Sequence, residues 1–366
     1  MSIRVLLIGP TEPIGGATVS FRYLVDELAQ RDDVTLRVIA TRGQDGASGQ
    51  ALARETARFL GQLLAAVPHC DVVSLHGSTR RFLVYGAIAR AVALAARKPL
   101  LLRVFGSSIA EVLTARGGLA ALVPWVMGAE GILLQCQALL ADVRERYPAA
   151  RVAWFPTSRP LPAATPSAPR TRRGAVGPLR AAFVGHVRAE KGVLALVEAA
   201  RRLGPEVVQV DVYGRRYDNV RIADLEGMAH VRYHGEIAAE DVPGRLASAD
   251  VLVLPTRFGG EGYPGVVIEA FQMGLPVVTS RFRFLPELVI DGVRGALVEP
   301  DDPCTLADAL ARLHQDVATY DRLAEGAFRA GRYFESARWN GDYFMSCVRA
   351  LAGGSGPPCP PSAPSA

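Results

Sequence analysis

Residues Ala249–Ser280 read ADVLVLPTRFGGEGYPGVVIEAFQMGLPVVTS. Val251–Pro255 is a short apolar run rich in β-branched residues and bounded by a turn signal, which predicts a buried strand. Thr256–Gly265 holds Gly259, Gly260, Gly262, Pro264 and Gly265 and reads as a loop. Val266–Met273 is predicted as a short helix, stopped by Gly274 and Pro276. Pro276–Ser280 is a second strand. The unit is therefore strand, glycine loop, helix, strand.

In an open parallel sheet such a loop lies at the carboxyl end of its strand, where ligands bind. The amides of Gly265, Val266 and Val267 are donors at a helix N-terminus, a ready site for an anion, and glycine allows close approach. Pro264 has no N–H and is not among them. Glu261 and Glu269 bracket the site with seven residues between them. A carboxylate accepts from hydroxyls, so Glu261 suits a polyol beyond the phosphates and Glu269 a ribose on the near side. Acidic residues also sit near helix N-termini merely to oppose the dipole, so the pair alone has a structural reading of equal weight.

Two further stretches have the same form. Ala181–Val184 is a strand that runs into GHVRAEKG at 185–192, followed by a helix over Leu194–Leu203. Cations before a helix N-terminus oppose its dipole, so a bound anion is the sensible explanation of Arg188 and Lys191. Ile3–Ile8, a nearly unbroken apolar run, is a strand buried on both faces, and a Gly15-Gly16 loop leads from it into a helix over Val19–Gln30. This loop is not a dinucleotide fingerprint, and by itself it reads as structural. Asp71–Leu75 is a strand that ends at His76, and a lone histidine there is more often structural than functional.

The Glu261–Glu269 segment resembles the E-x(7)-E signature of the family 4 retaining glycosyltransferases. The likeness extends over nearly the whole chain and is strongest over Ala181–Leu310. It implies an α/β GT-B fold: two Rossmann-like parallel-sheet domains facing a cleft, with a C-terminal helix crossing back to the first. In that family the first glutamate binds donor-sugar hydroxyls, the second binds the ribose, and the intervening amides hold the diphosphate. Those roles fall here to Glu261, to Glu269, and to the backbone of Gly262, Tyr263, Gly265 and Val266. Gly185–Gly192 resembles the G-R-x(4)-K-G signature, whose cations neutralise the diphosphate. Lys191 matches it, His186 stands at the arginine position, and Arg188 is the residue able to take over that charge. The loop at Gly235–Ile237 would border the nucleotide base, and Gly15 and Gly16 would lie near donor sugar and acceptor. Phe105 replaces the histidine that many members carry at the end of the fourth strand, so either the chain does without that residue or another, such as Ser107, substitutes. Phe284–Glu287 and Asp291–Gly295 resemble the run that follows the E-x(7)-E.

Size and composition agree with this reading. The chain has 366 residues and is 49% hydrophobic, enough for two full cores, and its 21% charged content excludes wholesale disorder. The expected divisions are an acceptor-side domain over 1–157, a Pro/Arg-rich linker over 158–178, a donor-binding domain over 179–330, a crossover helix over 331–352 and a disordered tail over 353–366. The arginines of the linker read as solvated. The five cysteines are scattered, which favours a reducing compartment without disulfides or a zinc site. The net charge of +5 suits an anionic ligand or membrane face. Val5–Ile8 reads as a first strand rather than a leader, and no apolar stretch is long and clean enough to span a bilayer.

The function expected from the resemblance is retaining transfer of a hexose from a UDP- or GDP-linked sugar to a glycan or lipid-linked acceptor hydroxyl. Its setting would be bacterial polysaccharide or glycolipid assembly. Glu261, Lys191, Arg188 and His76 are the catalytic candidates. No metal or other cofactor is expected. The location is cytoplasmic, with apolar basic helices leaving room for contact with the inner membrane face. A sugar-nucleotide epimerase and a non-catalytic nucleotide-sugar-binding protein are the alternatives. A nucleic-acid partner is disfavoured, because basic residues are not interleaved with aromatics.

Overall fold

A computed structural model describes residues 2–12, 15–42, 49–77, 81–106, 113–114 and 117–362. It divides into two compact units, one of Met1–Pro160 with Ser336–Ser362 and one of Leu161–Glu335.

The first unit is built on a parallel sheet of six strands in the order β2-β1-β3-β4-β5-β6. These are β1 (Ile3–Glu12), β2 (Val34–Arg42), β3 (Val72–Gly77), β4 (Leu100–Val104), β5 (Gly131–Leu134) and β6 (Val152–Trp154). Leu6, Leu7 and Ile8 of β1 are wholly buried, as a central strand covered on both faces requires. β1 pairs with β2 on one side and β3 on the other, with Ile8 opposite Ile39 and Leu75. The connections are α1 (Gly16–Ala29), α2 (Gly49–Ala66), α3 (Arg81–Ala95), α4 (Leu122–Met127) and α5 (Gln137–Arg146). Chain order reverses direction across the sheet between β1 and β3, the switch point at which such sheets bind ligands.

The chain returns to this unit at Ser336. A π-helical stretch, Ala337–Tyr343, buries Trp339 against Trp154 and Phe155, with ring centroids 5.1 and 6.0 Å apart. The tail expected to be disordered from 353 is instead placed over 353–362. The Tyr343 hydroxyl donates to the Pro358 carbonyl at 2.8 Å. Pro357 approaches Gly131 so closely that a Cβ there would lie 2.9 Å from its ring. Prolines lose little conformational freedom on ordering, so a few contacts suffice. Residues 363–366 lie outside the described ones.

The second unit repeats the plan, with sheet order β12-β11-β10-β7-β8-β9 and all strands parallel. Its strands are β7 (Leu179–Val184), β8 (Val208–Tyr213), β9 (Val231–Tyr233), β10 (Val251–Leu254), β11 (Val277–Ser280) and β12 (Gly295–Val298). The helices that matter below are α6 (Val193–Leu203), α7 (Val242–Ala247) and α8 (Gly265–Gln272), which starts one residue before the expected position. β10 returns to the opposite side of β7 from β8, so the switch point falls between β7 and β10. Both glycine-rich stretches singled out in the sequence leave the sheet there.

The arginines of the Pro/Arg-rich stretch are not solvated as a group, contrary to expectation. Arg170 donates to the carbonyls of Met273, Ala249 and Ala247 at 2.8, 3.0 and 2.8 Å. These include carbonyls at the C-terminal ends of α7 and α8, where a cation also complements the helix dipole. Arg172 is 6% exposed and pairs with Asp250 at 2.8 Å. Arg159, also buried, donates to the Ser20 hydroxyl at 3.0 Å.

Candidate functional site

The end of β10 is fixed by its neighbour β11. Thr279 donates its hydroxyl to the Leu254 carbonyl at 2.6 Å, and Ser280 to the Thr256 carbonyl at 2.7 Å. The loop that follows is tied to the loop after β7, since the Arg257 amide donates to the Glu190 carbonyl at 2.8 Å. Gly192 makes this approach feasible. Its φ is +77°, and a Cβ would stand 2.0 Å from the Pro255 carbonyl oxygen. No other residue satisfies both the left-handed backbone and the contact.

The two loops meet in an ion pair between Lys191 Nζ and Glu261 Oε2, with the side chains 13% and 10% exposed. The Thr256 hydroxyl adds a second bond to the same carboxylate oxygen at 3.3 Å. Phe258 forms a wall. Lys191 Nζ lies 5.1 Å and Arg188 Cζ 5.2 Å from its ring centroid, and Arg188 is also 4.8 Å from the Tyr217 ring. Such stacking aims the guanidinium edge along the aromatic faces. Arg188 Nε is 3.4 Å from Glu190.

His186 packs its ring 5.2 Å from that of Tyr217. Burial, then the charges of Lys191 and Arg188, lower its pKa below 6.5, so it is neutral at pH 7. Arg188, two residues later, places its guanidinium over the same Tyr217 ring.

Along the same sheet edge the loops after β7, β8 and β9 pack side by side. The Gly214 amide donates to the Gly235 carbonyl at 2.7 Å, and a Cβ on Gly214 would lie 1.8 Å from the Gly185 carbonyl oxygen. Gly235 and Ile237 are half-buried at this edge. On the other flank α8 begins after Pro264 with no side-chain cap. Gly262 and Tyr263 are buried just before it, and Gly265, Val266 and Glu269 are half-buried within it. The Tyr263 hydroxyl donates to Glu287 at 2.8 Å, which anchors the loop to the segment after β11.

In the first unit Gly15 is the N-cap of α1 and accepts from the Val19 amide at 2.9 Å. A Cβ on Gly15 or Gly16 would meet nothing within 4 Å, so space opens before both. His76 does not stand at an open site. It is 1% exposed, shares a 2.9 Å hydrogen bond with Ser74, and is flanked by the rings of Phe21, Phe105 and Phe344. Direct catalysis by His76 is therefore corrected to a core role: Phe344 comes from the returning C-terminal segment, which local sequence does not reveal. Phe105 is buried, and Ser107 lies outside the described residues.

Sequence reading missed Thr256, Tyr217 and Phe258. A threonine directly after a buried strand is a signal that would have found the first, whereas Tyr217 and Phe258 meet Arg188 only once distant loops are brought together. Among the described residues no group of three or more His, Cys, Asp or Glu could hold a metal, and no helix is long and apolar enough to cross a membrane.

Residues 178–316 match the family profile described as Glycosyl transferases group 1. The chain is 33% identical over 159 residues to D-inositol 3-phosphate glycosyltransferase of Xylanimonas cellulosilytica, a match spanning 42% of this chain and 38% of that protein. It is 34% identical over 155 residues to GDP-mannose-dependent alpha-(1-6)-phosphatidylinositol monomannoside mannosyltransferase of Mycolicibacterium smegmatis, spanning 40% and 39%. The chain thus covers well under half the length of these relatives. The fold is shared across the chain with Anabaena Alr3699/HepE, solved with UDP and glucose: TM-score 0.73, 19% identity, 96% of this chain and 100% of that one. It is shared likewise with WaaG, a glycosyltransferase involved in lipopolysaccharide biosynthesis: TM-score 0.64, 16% identity, 96% and 98% covered. The two six-stranded parallel sheets are those of the GT-B architecture expected from the sequence.

Proposed function

We propose, from the match of residues 178–316 to the glycosyl transferases group 1 profile, that the chain moves a hexose from a nucleotide-diphospho-sugar to an acceptor hydroxyl with retention of configuration. The observation that carries this reading is the Lys191–Glu261 pair at the β7/β10 switch point, beside the uncapped start of α8. Lys191 spends one of its three N–H donors on Glu261 and keeps others for the diphosphate. Arg188, aimed by Tyr217 and Phe258, adds the second cation. The amides of Gly265 and Val266 face the same anion, and Gly262 and Tyr263 shape its approach. Glu269 takes the ribose hydroxyls, and the backbone of Gly235–Ile237 borders the base. Glu261, held by Lys191 and Thr256, orients the sugar rather than attacking it.

In the transfer step the bond from the anomeric carbon to the phosphate oxygen breaks, and the acceptor oxygen bonds to that carbon on the same face. The acceptor proton passes to the departing phosphate, so no protein nucleophile is required. Preorganised cations and amides stabilise the charge that develops on the leaving group. The first unit, at Gly15 and Gly16, supplies the acceptor side. A UDP- or GDP-linked donor, a glycan or lipid-linked acceptor, and a place on the cytoplasmic side of bacterial surface-glycan or glycolipid assembly complete the proposal. Exposed Leu94 on α3 and Trp125 on α4 suit contact with a membrane face.

The test is release of nucleotide from UDP- and GDP-hexoses with and without mixed glycan and lipid acceptors. Acceptor-stimulated release, abolished in Lys191→Ala, is expected. The neutral His186 favours one rival, a non-catalytic nucleotide-sugar binder; nucleotide binding with no turnover of any donor would decide for it.

A further inference from the structure

Arg103 lies on β4 and is 2% exposed. Its Cα pairs with His76 on β3, so the two side chains share one face of the sheet. Its guanidinium carbon is 4.7 Å from the ring centroid of Phe105 and 4.3 Å from that of Phe155. Stacking engages the faces of the guanidinium and leaves its N–H groups, which lie in its plane, still to be satisfied. Nη1 is buried with no hydrogen-bond partner.

Among the described residues no carboxylate bears on this charge. Burial lowers the Arg103 pKa to about 9, and the charge that bears on it is another cation, Arg159. Arg103 is therefore still protonated at neutral pH. Two further buried polar atoms of this unit also have no partner: Nδ1 of His76, which pairs with Arg103 across the strands, and Oγ of Ser158. Ser158 is joined to Arg159, whose guanidinium donates to the Ser158 carbonyl at 3.0 Å. A buried cation beside another cation is costly unless an anion accompanies it. The planar N–H edge of arginine matches an oxyanion best.

We propose that Arg103 anchors an oxyanion site in the first unit, taking a carboxylate or phosphate group through its in-plane N–H edge, with Ser158 and His76 as further donors. Neither the transfer chemistry above nor the site at the β7/β10 switch point requires it. The oxyanion is either a free ion held by the fold or an acidic group carried by the acceptor.

Calorimetric titration of the full chain with inorganic phosphate tests this, with Arg103→Met, Arg103→Lys and Lys191→Ala alongside. Binding by the native chain should persist in Lys191→Ala, which separates it from the diphosphate site, and weaken by at least about tenfold in Arg103→Met. If Arg103→Met does not fold, Arg103→Lys decides, since loss of the planar fork should still weaken binding severalfold. Absence of phosphate binding, loss of it in Lys191→Ala, or unchanged affinity in the folded Arg103 variants would overturn the proposal. Competition between phosphate and an acidic acceptor assigns the site to the acceptor; phosphate binding that leaves transfer unaffected assigns it to a free ion.

Discussion

Lys191 and Glu261 are seventy residues apart in sequence and form an ion pair where the loops after β7 and β10 meet. Both side chains are largely buried, so removing either partner strands the other charge. Lys191→Ala should lower kcat by about a hundredfold to a thousandfold, the scale of losing one oriented charge at a leaving group. Glu261→Gln, which keeps shape and one acceptor, should lose kcat while retaining most nucleotide affinity. Steady-state kinetics with nucleotide titration separates the two; equal loss of nucleotide binding in both would contradict the separate roles.

Gly192→Ala should destabilise the second unit. The backbone there is left-handed and a methyl group would overlap the Pro255 carbonyl. The cost is about 2–3 kcal/mol, read as a shift of the urea midpoint. A stability equal to the native chain would mean that the two loops do not approach as described.

The proline-rich stretch is a structural brace. Arg170→Met removes three hydrogen bonds to carbonyls near the ends of α7 and α8. The expected loss is about 2–4 kcal/mol, because the half-buried carbonyls remain unsatisfied. Arg173→Met is the control: Arg173 pairs with Asp321 but is 83% exposed, and its change should be small. Equal effects of the two changes would return this stretch to a solvated linker.

Acid should weaken the fold through His76. Its pKa is held well below 6.5 by burial and then by Arg103. In the unfolded chain the ring titrates at its ordinary pKa, so below about pH 6.5 the unfolded state binds a proton that the folded state excludes. Stability therefore falls as pH drops below that value, and His186 contributes in the same sense. His76→Asn should flatten the dependence of the urea midpoint between about pH 7 and pH 5, whatever its effect on stability itself. An unchanged slope would place the titration elsewhere.

The strands, loops and glutamates of the second unit were legible because their signals are local. A β-branched run marks β10 and a short apolar run marks β7, glycines mark the loops, and Lys191, Glu261 and Glu269 stand at telling positions beside them. What was not legible depends on distant chain. Arg170 looks like a solvated linker charge until Met273, 103 residues away, supplies its acceptor. His76 was correctly placed at a strand end, yet Phe344 closes over it from the returning segment. The tail over 353–362 has the composition of disorder and is held by Tyr343 and the space beside Gly131. The aromatic walls of Arg188 likewise needed the loops after β8 and β10 to be brought together.

The central claim is a nucleotide-diphosphate site at the β7/β10 switch point. Calorimetric titration with UDP, GDP and ADP, repeated on Lys191→Ala and Glu269→Ala, tests it most directly. The account predicts binding of one nucleotide by the native chain, weakened at least about tenfold in both variants by loss of a charged contact to phosphate or ribose. Binding that is indifferent to both substitutions, or no binding of any nucleotide, would contradict it.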